Sequence, residues 1–201
     1  MGVKRTSMKI EIMRLIMLIA GLSAVCYAGP VIQHTAPAIP GVGMGNIRLG
    51  PDGAETLRKL PKPYASDAGM SQTRQVWKFA KPGGLFDTLF IHTTSNGVID
   101  AQPPDGVTID LIRATAKRFR TSQGISVGST LEQIQNAFPD AARVDNVPTV
   151  YDAVKEGIAF EFEHKPGAQS PCIAIMVHPP GQSRIATQEN VAALMEERGK
   201  N

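Results

Sequence analysis

The sequence predicts an α+β fold of two tandem helix-plus-antiparallel-sheet repeats, with the helices on one face of the sheets. Three observations lead there. Gly45-Asn46-Ile47-Arg48-Leu49-Gly50 is echoed 78 residues later by Gln123-Gly124-Ile125-Ser126-Val127-Gly128, and at the same offset Leu60-Pro61 meets Phe138-Pro139. Each copy opens on a short apolar-polar-apolar piece, turns at a glycine, runs through a short helix and halts at a proline, which cannot continue a helix. Alternating segments follow both helices, and the order of helix then strands, repeated, implies antiparallel sheets backed by helices.

The second copy is the clearer. Ser129-Thr130-Leu131-Glu132 has the form of a capping box, and Leu131, Ile134 and Phe138 mark one helix face ahead of Pro139. In Gly157-Ile158-Ala159-Phe160-Glu161-Phe162-Glu163 the alternation sets Ile158, Phe160 and Phe162 on one side of a strand and Glu161 and Glu163 on a solvated side. Lys165-Pro166-Gly167 reads as a turn, and Cys172 to Val177 as the returning strand. The first copy offers Asp52 with Glu55 at a helix start and a weaker face of Leu57 and Leu60. Gln75 to Phe79, Thr88 to His92 and Val107 to Ile112 read as its strands, with turn signals at Ser95-Asn96-Gly97 and Pro103-Pro104-Asp105-Gly106. Thr187 to Arg198 carries Val191, Leu194 and Met195 at helical spacing, a terminal amphipathic helix.

The repeats at 47–50 and 125–128, the joint Arg118-Phe119-Arg120-Thr121-Ser122-Gln123-Gly124-Ile125 and the strand Gly157-Ile158-Ala159-Phe160 resemble the β-lactamase-inhibitor-protein-like fold, shared with small outer-membrane assembly lipoproteins. The likeness spans about residues 45–180 and implies a protein-binding sheet surface rather than an activity.

The chain's beginning has the form of a secretory signal. Lys4, Arg5, Lys9 and Arg14 precede an apolar run, Leu15 to Val25, which is too short to span a bilayer, and Cys26 and Ala28 suit cleavage before Gly29. The expected organisation is therefore a signal peptide over 1–28, a flexible Pro/Gly-rich linker over 29–44, repeats over 45–120 and 121–182, and a tail with its helix over 183–201. Export, periplasmic or secreted, is the expected localisation. Lipid anchoring at Cys26 is the less favoured course, because Ser23 and Val25 stand where a lipoprotein signal has other residues.

Composition narrows the function. Hydrophobic residues make up 42% and charged residues 19% of 201, too apolar for a disordered chain. The formal charge of +3 belongs wholly to the leader, where four basic residues face Glu11, so the remainder is neutral and nothing points to nucleic acid. After cleavage Cys172 is the only cysteine, and its apolar run reads as a small buried side chain. No cofactor or metal is expected: His34, His92, His164 and His178 are scattered, without the spacing of a zinc site.

Two classes of function follow. The first is a non-enzymatic exported module that binds a protein or the envelope through its sheet surfaces, with no membrane span once the leader is cut and no assigned catalytic residue. Its candidate protein-binding residues are Trp77 and Tyr64 as aromatic anchors, with Arg118 and Arg120 from the basic cluster that also holds Arg113 and Lys117. Trp77 faces either core or solvent. The alternative is a small secreted hydrolase whose site assembles only in three dimensions. Ser126 in Gly124-Ile125-Ser126-Val127-Gly128 would be its nucleophile, which requires a histidine within hydrogen-bond reach.

Overall fold

A computed structural model describes residues 35–95 and 106–197. The leader, Cys26, His34 and residues 96–105, which hold most of the two expected turn signals, lie outside the described residues, as do the first part of the expected linker and residues 198–201.

Strand-forming sequence dominates what is described. Long runs of β-branched and aromatic residues pair into an eight-stranded antiparallel sheet, in the order β4 (Ala65–Gly69), β5 (Gln72–Ala80), β6 (Phe86–Ser95), β7 (Val107–Ala114), β12 (Cys172–Val177), β11 (Ile158–Phe162), β10 (Val147–Ala153) and β9 (Ala142–Val144). A second, four-stranded sheet runs β3 (Ile47–Arg48), β2 (Gly43–Met44), β1 (Ala36–Ile39), β8 (Phe119–Arg120), and its β1–β8 pair is parallel. Three α-helices accompany them among the described residues: α1 (Gly53–Lys59), α2 (Leu131–Ala137) and α3 (Gln188–Glu197).

This corrects the expected α+β architecture of two helix-plus-sheet repeats. The chain lays down two four-stranded meanders, β4–β7 and β9–β12, but β7 and β12 bond to each other, with Ile175 opposite Ala114 and Val177 opposite Ile112. The result is one predominantly β sheet, not two helix-backed units. Nor do the helices share a face. Leu57 of α1 and Leu131 and Ile134 of α2 join the core on one side, with Ile91, Ile112, Phe160 and Ile175 of the sheet and Met44 and Phe119 of the small sheet. Val191 and Leu194 of α3 pack on the other side, against Ala65, Val76, Phe90, Leu111 and Met176. Each helix covers an apolar stripe, and the sheet has one on both faces.

The linker expectation also changes. Within residues 35–44, Ala36–Ile39 pairs with both β2 and β8, and Ala38 and Met44 are buried. Proline and glycine content alone suggested flexibility, but Pro37 and Pro40 lie in and beside a strand that is held by hydrogen bonds such as Gly45 N to Pro37 O. At the start of α2 the capping box forms one residue later than the sequence suggested: Thr130 is the N-cap and exchanges bonds with Gln133, while the Ser129 hydroxyl accepts the Ser126 amide.

Two glycines permit close approaches. Gly53 opens α1 where a Cβ would stand 2.1 Å from the Arg48 carbonyl oxygen, so α1 can lie directly against β3 and β7. Gly157, with φ +78°, turns β10 into β11 where a Cβ would stand 2.3 Å from the His178 oxygen.

Candidate functional site

The two faces of the eight-stranded sheet differ in chemistry, and the functional candidates lie on the face under α3. Strand alternation should place residues singly on each side, but both central strands depart from it. In β7 the register shifts between His92 and Thr93, so that Asp110 is an extra residue facing the same way as Leu111. In β12 the shift between Glu161 and Phe162 leaves Ile173 extra. The first bulge sets Asp110 beside His92.

Three couples of ionisable groups result. His92 Nδ1 lies 2.5 Å from Asp110 Oδ1, and its Nε2 lies 3.3 Å from Gln72 Oε1. Arg113 donates from Nε and Nη2 to Glu161 Oε2 at 2.9 and 2.6 Å, both side chains being buried. The other oxygen, Glu161 Oε1, accepts the Gln188 amide at the start of α3. His178 Nε2 donates to Asp152 Oδ1 at 2.9 Å, and Asp152 Oδ2 accepts the Ser183 hydroxyl.

His178 is 0% exposed. Both of its ring nitrogens face groups that only accept, the Asp152 carboxylate and the Pro179 carbonyl, so both contacts are satisfied together when the ring carries both protons. Burial works to lower its pKa. The hydrogen bond and charge of Asp152, together with the Pro179 and Gln182 backbones, outweigh burial and hold the imidazole above its ordinary value. Ser183, Asp152 and His178 do not form a nucleophilic relay, because the carboxylate stands between hydroxyl and imidazole instead of behind the imidazole.

The covering segment leaves two openings, one on each side of α3. The first, about 340 Å³, is lined by Gln72, Arg74, His92, Arg184 and Asn190 over a floor of Phe90 and Leu111. The acceptors of its lining amides are already engaged. Gln72 Oε1 faces His92, Asn190 Oδ1 accepts from Thr187 N and Oγ1, and Asp110 Oδ1 holds His92. Asp110 Oδ2 is buried without a hydrogen bond, with Arg184 Nη2 at 3.8 Å. What remains toward the cavity are N–H donors: the Gln72 and Asn190 amides and the Arg74 and Arg184 guanidiniums. Arg74 also holds Asp67 at 2.5 Å. The second opening, about 520 Å³, is lined by α3, the Ile173 bulge, Val127 and Arg113.

The residues singled out in the sequence lie elsewhere. Trp77 faces inward, 4% exposed, with its indole N–H donating to Pro61 O at 2.7 Å. Tyr64 is 38% exposed, and Lys78 Nζ sits 3.8 Å from its ring centre and 4.3 Å from that of Phe86. Arg118 stacks over Phe79 and Phe119, and Arg120 donates to the Gly124 carbonyl. Ser126 is buried, and no described histidine bonds to it. Cys172 is buried, and burial pushes its thiol up to about 11, with Sγ donating to the Ser126 carbonyl. Glu161 and Arg113, expected on solvated surface, are buried partners. Among the described residues no group of three or more metal-ligating side chains is present, and no helix is long and apolar enough to cross a membrane.

No protein-family model matches the chain, and no curated protein matches it. Among solved structures, the uncharacterized protein yfeY from Escherichia coli is similar over 70% of this chain and 98% of its own length, at 12% identity and a TM-score of 0.38.

Proposed function

We propose that this chain is a non-enzymatic binding protein, exported from the cytoplasm, that uses a face of its large sheet to hold an acidic segment of a protein partner. The supporting observation is the donor surplus in the His92 cleft. Gln72, Arg74, Arg184 and Asn190 bring N–H groups to one cavity, and the side-chain acceptors of Gln72 and Asn190 are occupied. An acceptor-rich group, above all a carboxylate, completes such an array, and guanidiniums bind it with two parallel bonds. The Phe90 and Leu111 floor adds apolar contact for the methylenes of a glutamate side chain. Asp110 fixes the His92 ring through Nδ1, which makes that wall rigid before anything binds.

Calorimetric titration with a short glutamate peptide and its glutamine counterpart tests this reading. The glutamate peptide binds saturably and at least tenfold tighter, and Arg184→Gln with Arg74→Gln removes the difference. Equal affinity of the two peptides, or none, would overturn it. Raising salt from 50 to 500 mM weakens the binding several-fold, as expected for partly exposed charges.

A further inference from the structure

We propose that the second opening, between α3 and the central strands, is a binding site for a single-chain carboxylate amphiphile. Its location and chemistry separate it from the His92 cleft. Val191, Ala192 and Met195 of α3 form one wall, and Val127 and the bulged Ile173 form another, enclosing about 520 Å³. This is the size and apolar character of a small-molecule site. The extra residue in β12 matters here. Without it Ile173 would face the core side with Cys172 or Ile175 rather than widen the groove's apolar wall.

At the floor lies Arg113, 1% exposed. Its Nε and Nη2 are taken by Glu161, but Nη1 makes no hydrogen bond among the described residues, although the side chain lines the cavity. Nη1 is not among the fully buried atoms without a partner, so it reaches the opening, where a ligand oxygen can accept from it. The Thr88 and Thr115 hydroxyls beside it are within 3.4 Å of each other, and Thr115 Oγ1 also accepts the Thr88 amide. One hydroxyl proton serves the bond between them, and the other can be donated to a ligand oxygen alongside Nη1.

Charge selects the head group. Arg113 is already balanced by Glu161, so a second anion needs another cation, and Lys117 supplies it. Lys117 lies across Gly128, whose absent Cβ would stand 3.8 Å from the lysine Cε, and no ion pair engages it among the described residues. Lys81, the other cation of the lining, is paired with Asp87 at 2.9 Å. The carboxylate thus meets Nη1 and Lys117, and the alkyl chain lies along Val191, Ala192 and Met195. Each buried methylene contributes favourably, so affinity rises with chain length until the groove is filled.

The test is titration of the full chain with dodecanoate below its micelle concentration, followed by calorimetry, with dodecanol as the neutral comparison. Dodecanoate binds at one site per chain, at least tenfold tighter than dodecanol. Ala192→Trp, which fills the groove from the partly exposed side of α3, abolishes binding, and Lys117→Gln weakens it three- to tenfold. Arg184→Gln, on the opposite side of the helix, leaves it unchanged. Circular dichroism of Ala192→Trp matching the parent shows that the loss is local; Lys117→Gln, at an exposed position, reads the charge dependence without disturbing the core. Absence of saturable binding, equal affinity for dodecanol, binding that survives Ala192→Trp, or an equal loss in Arg184→Gln would each overturn the proposal.

Discussion

One face of the large sheet is stabilised by shape, the other by pairing. Toward α1, α2 and the small sheet, the side chains of Ile91, Ile112, Phe160 and Ile175 belong to one apolar cluster, and Phe160 packs on Phe138 with ring centres 5.4 Å apart. Toward α3 the sheet presents Asp110, Arg113, Glu161 and Asp152, each buried and each tied to a partner that belongs to another strand or to the covering segment. Dispersion and hydrophobic burial are tolerant of small shifts, whereas hydrogen-bonded charges are not. The lesson is that the first face accounts for most of the stability and the second fixes where the C-terminal segment lies. The Gln188 amide is set on Glu161, and Ser183 on Asp152. Both proposed binding sites border that pinned segment, so their shapes depend on the pairing.

The contrast can be broken at its strong end first. Phe160→Ala on the apolar face removes a fully buried ring, and urea unfolding should report a loss of about 3–5 kcal/mol. A loss under 1 kcal/mol would mean that this face is loosely packed. On the paired face, Arg113→Met alone leaves the Glu161 carboxylate buried without its cation and should destabilise by about 3 kcal/mol. Adding Glu161→Leu recovers part of that loss, because a charge pair and an apolar pair are close in net stability. If the double variant is no better than the single, then Glu161 matters chiefly through the Gln188 amide.

A smaller effect sharpens the same distinction through pH. His178 has its folded-state pKa raised above the unfolded value, so its stabilising contribution is complete below the ordinary imidazole range and disappears as pH rises through the folded value. Thermal melts should therefore show stability falling as pH rises past the ordinary imidazole range, with protease cleavage appearing near residues 179–187 before the sheet melts. Asp152→Asn, which removes the cause of the elevation, should flatten that dependence. A flat profile in the parent would show that the couple does not hold the segment. Smallest is Thr130→Ala at the α2 capping box, worth about 1 kcal/mol in the same urea measurement and without effect on the segment.

How much of this was legible differs by element. β12 was placed residue for residue, and α2 and β11 to within a position, because Leu131, Ile134, Phe138 and the alternation of Ile158, Phe160 and Phe162 report periods that need only a single face to be buried. β1, β2, β8 and β9 escaped, being two to four residues long with no period to read, and so did the five-residue β4 and the seven-residue β10. At Glu161 the alternation gave the correct face but the wrong environment: the side chain points away from Phe160, as expected, yet α3 lies over it. Nothing local distinguishes a carboxylate facing water from one facing a helix that begins 27 residues later. The same holds for Arg113, read as part of a basic cluster with Arg118 and Arg120 but buried while those two are exposed.

The His92 cleft was invisible for a related reason. Gln72, His92, Asp110 and Arg184 come from four separate stretches, and what unites them is the pairing register of β5, β6 and β7 and the bulge at Asp110. By itself the sequence determined which short segments alternate or coil, where glycine and proline break them, and which side of each strand is apolar, since these depend on neighbours within a few residues. Only the tertiary structure decided that two meanders join through β7 and β12, that α3 crosses to the opposite face from α1 and α2, and which polar side chains become partners. Those outcomes rest on long-range burial and hydrogen bonding, whose free energy is settled only when distant parts of the chain have met.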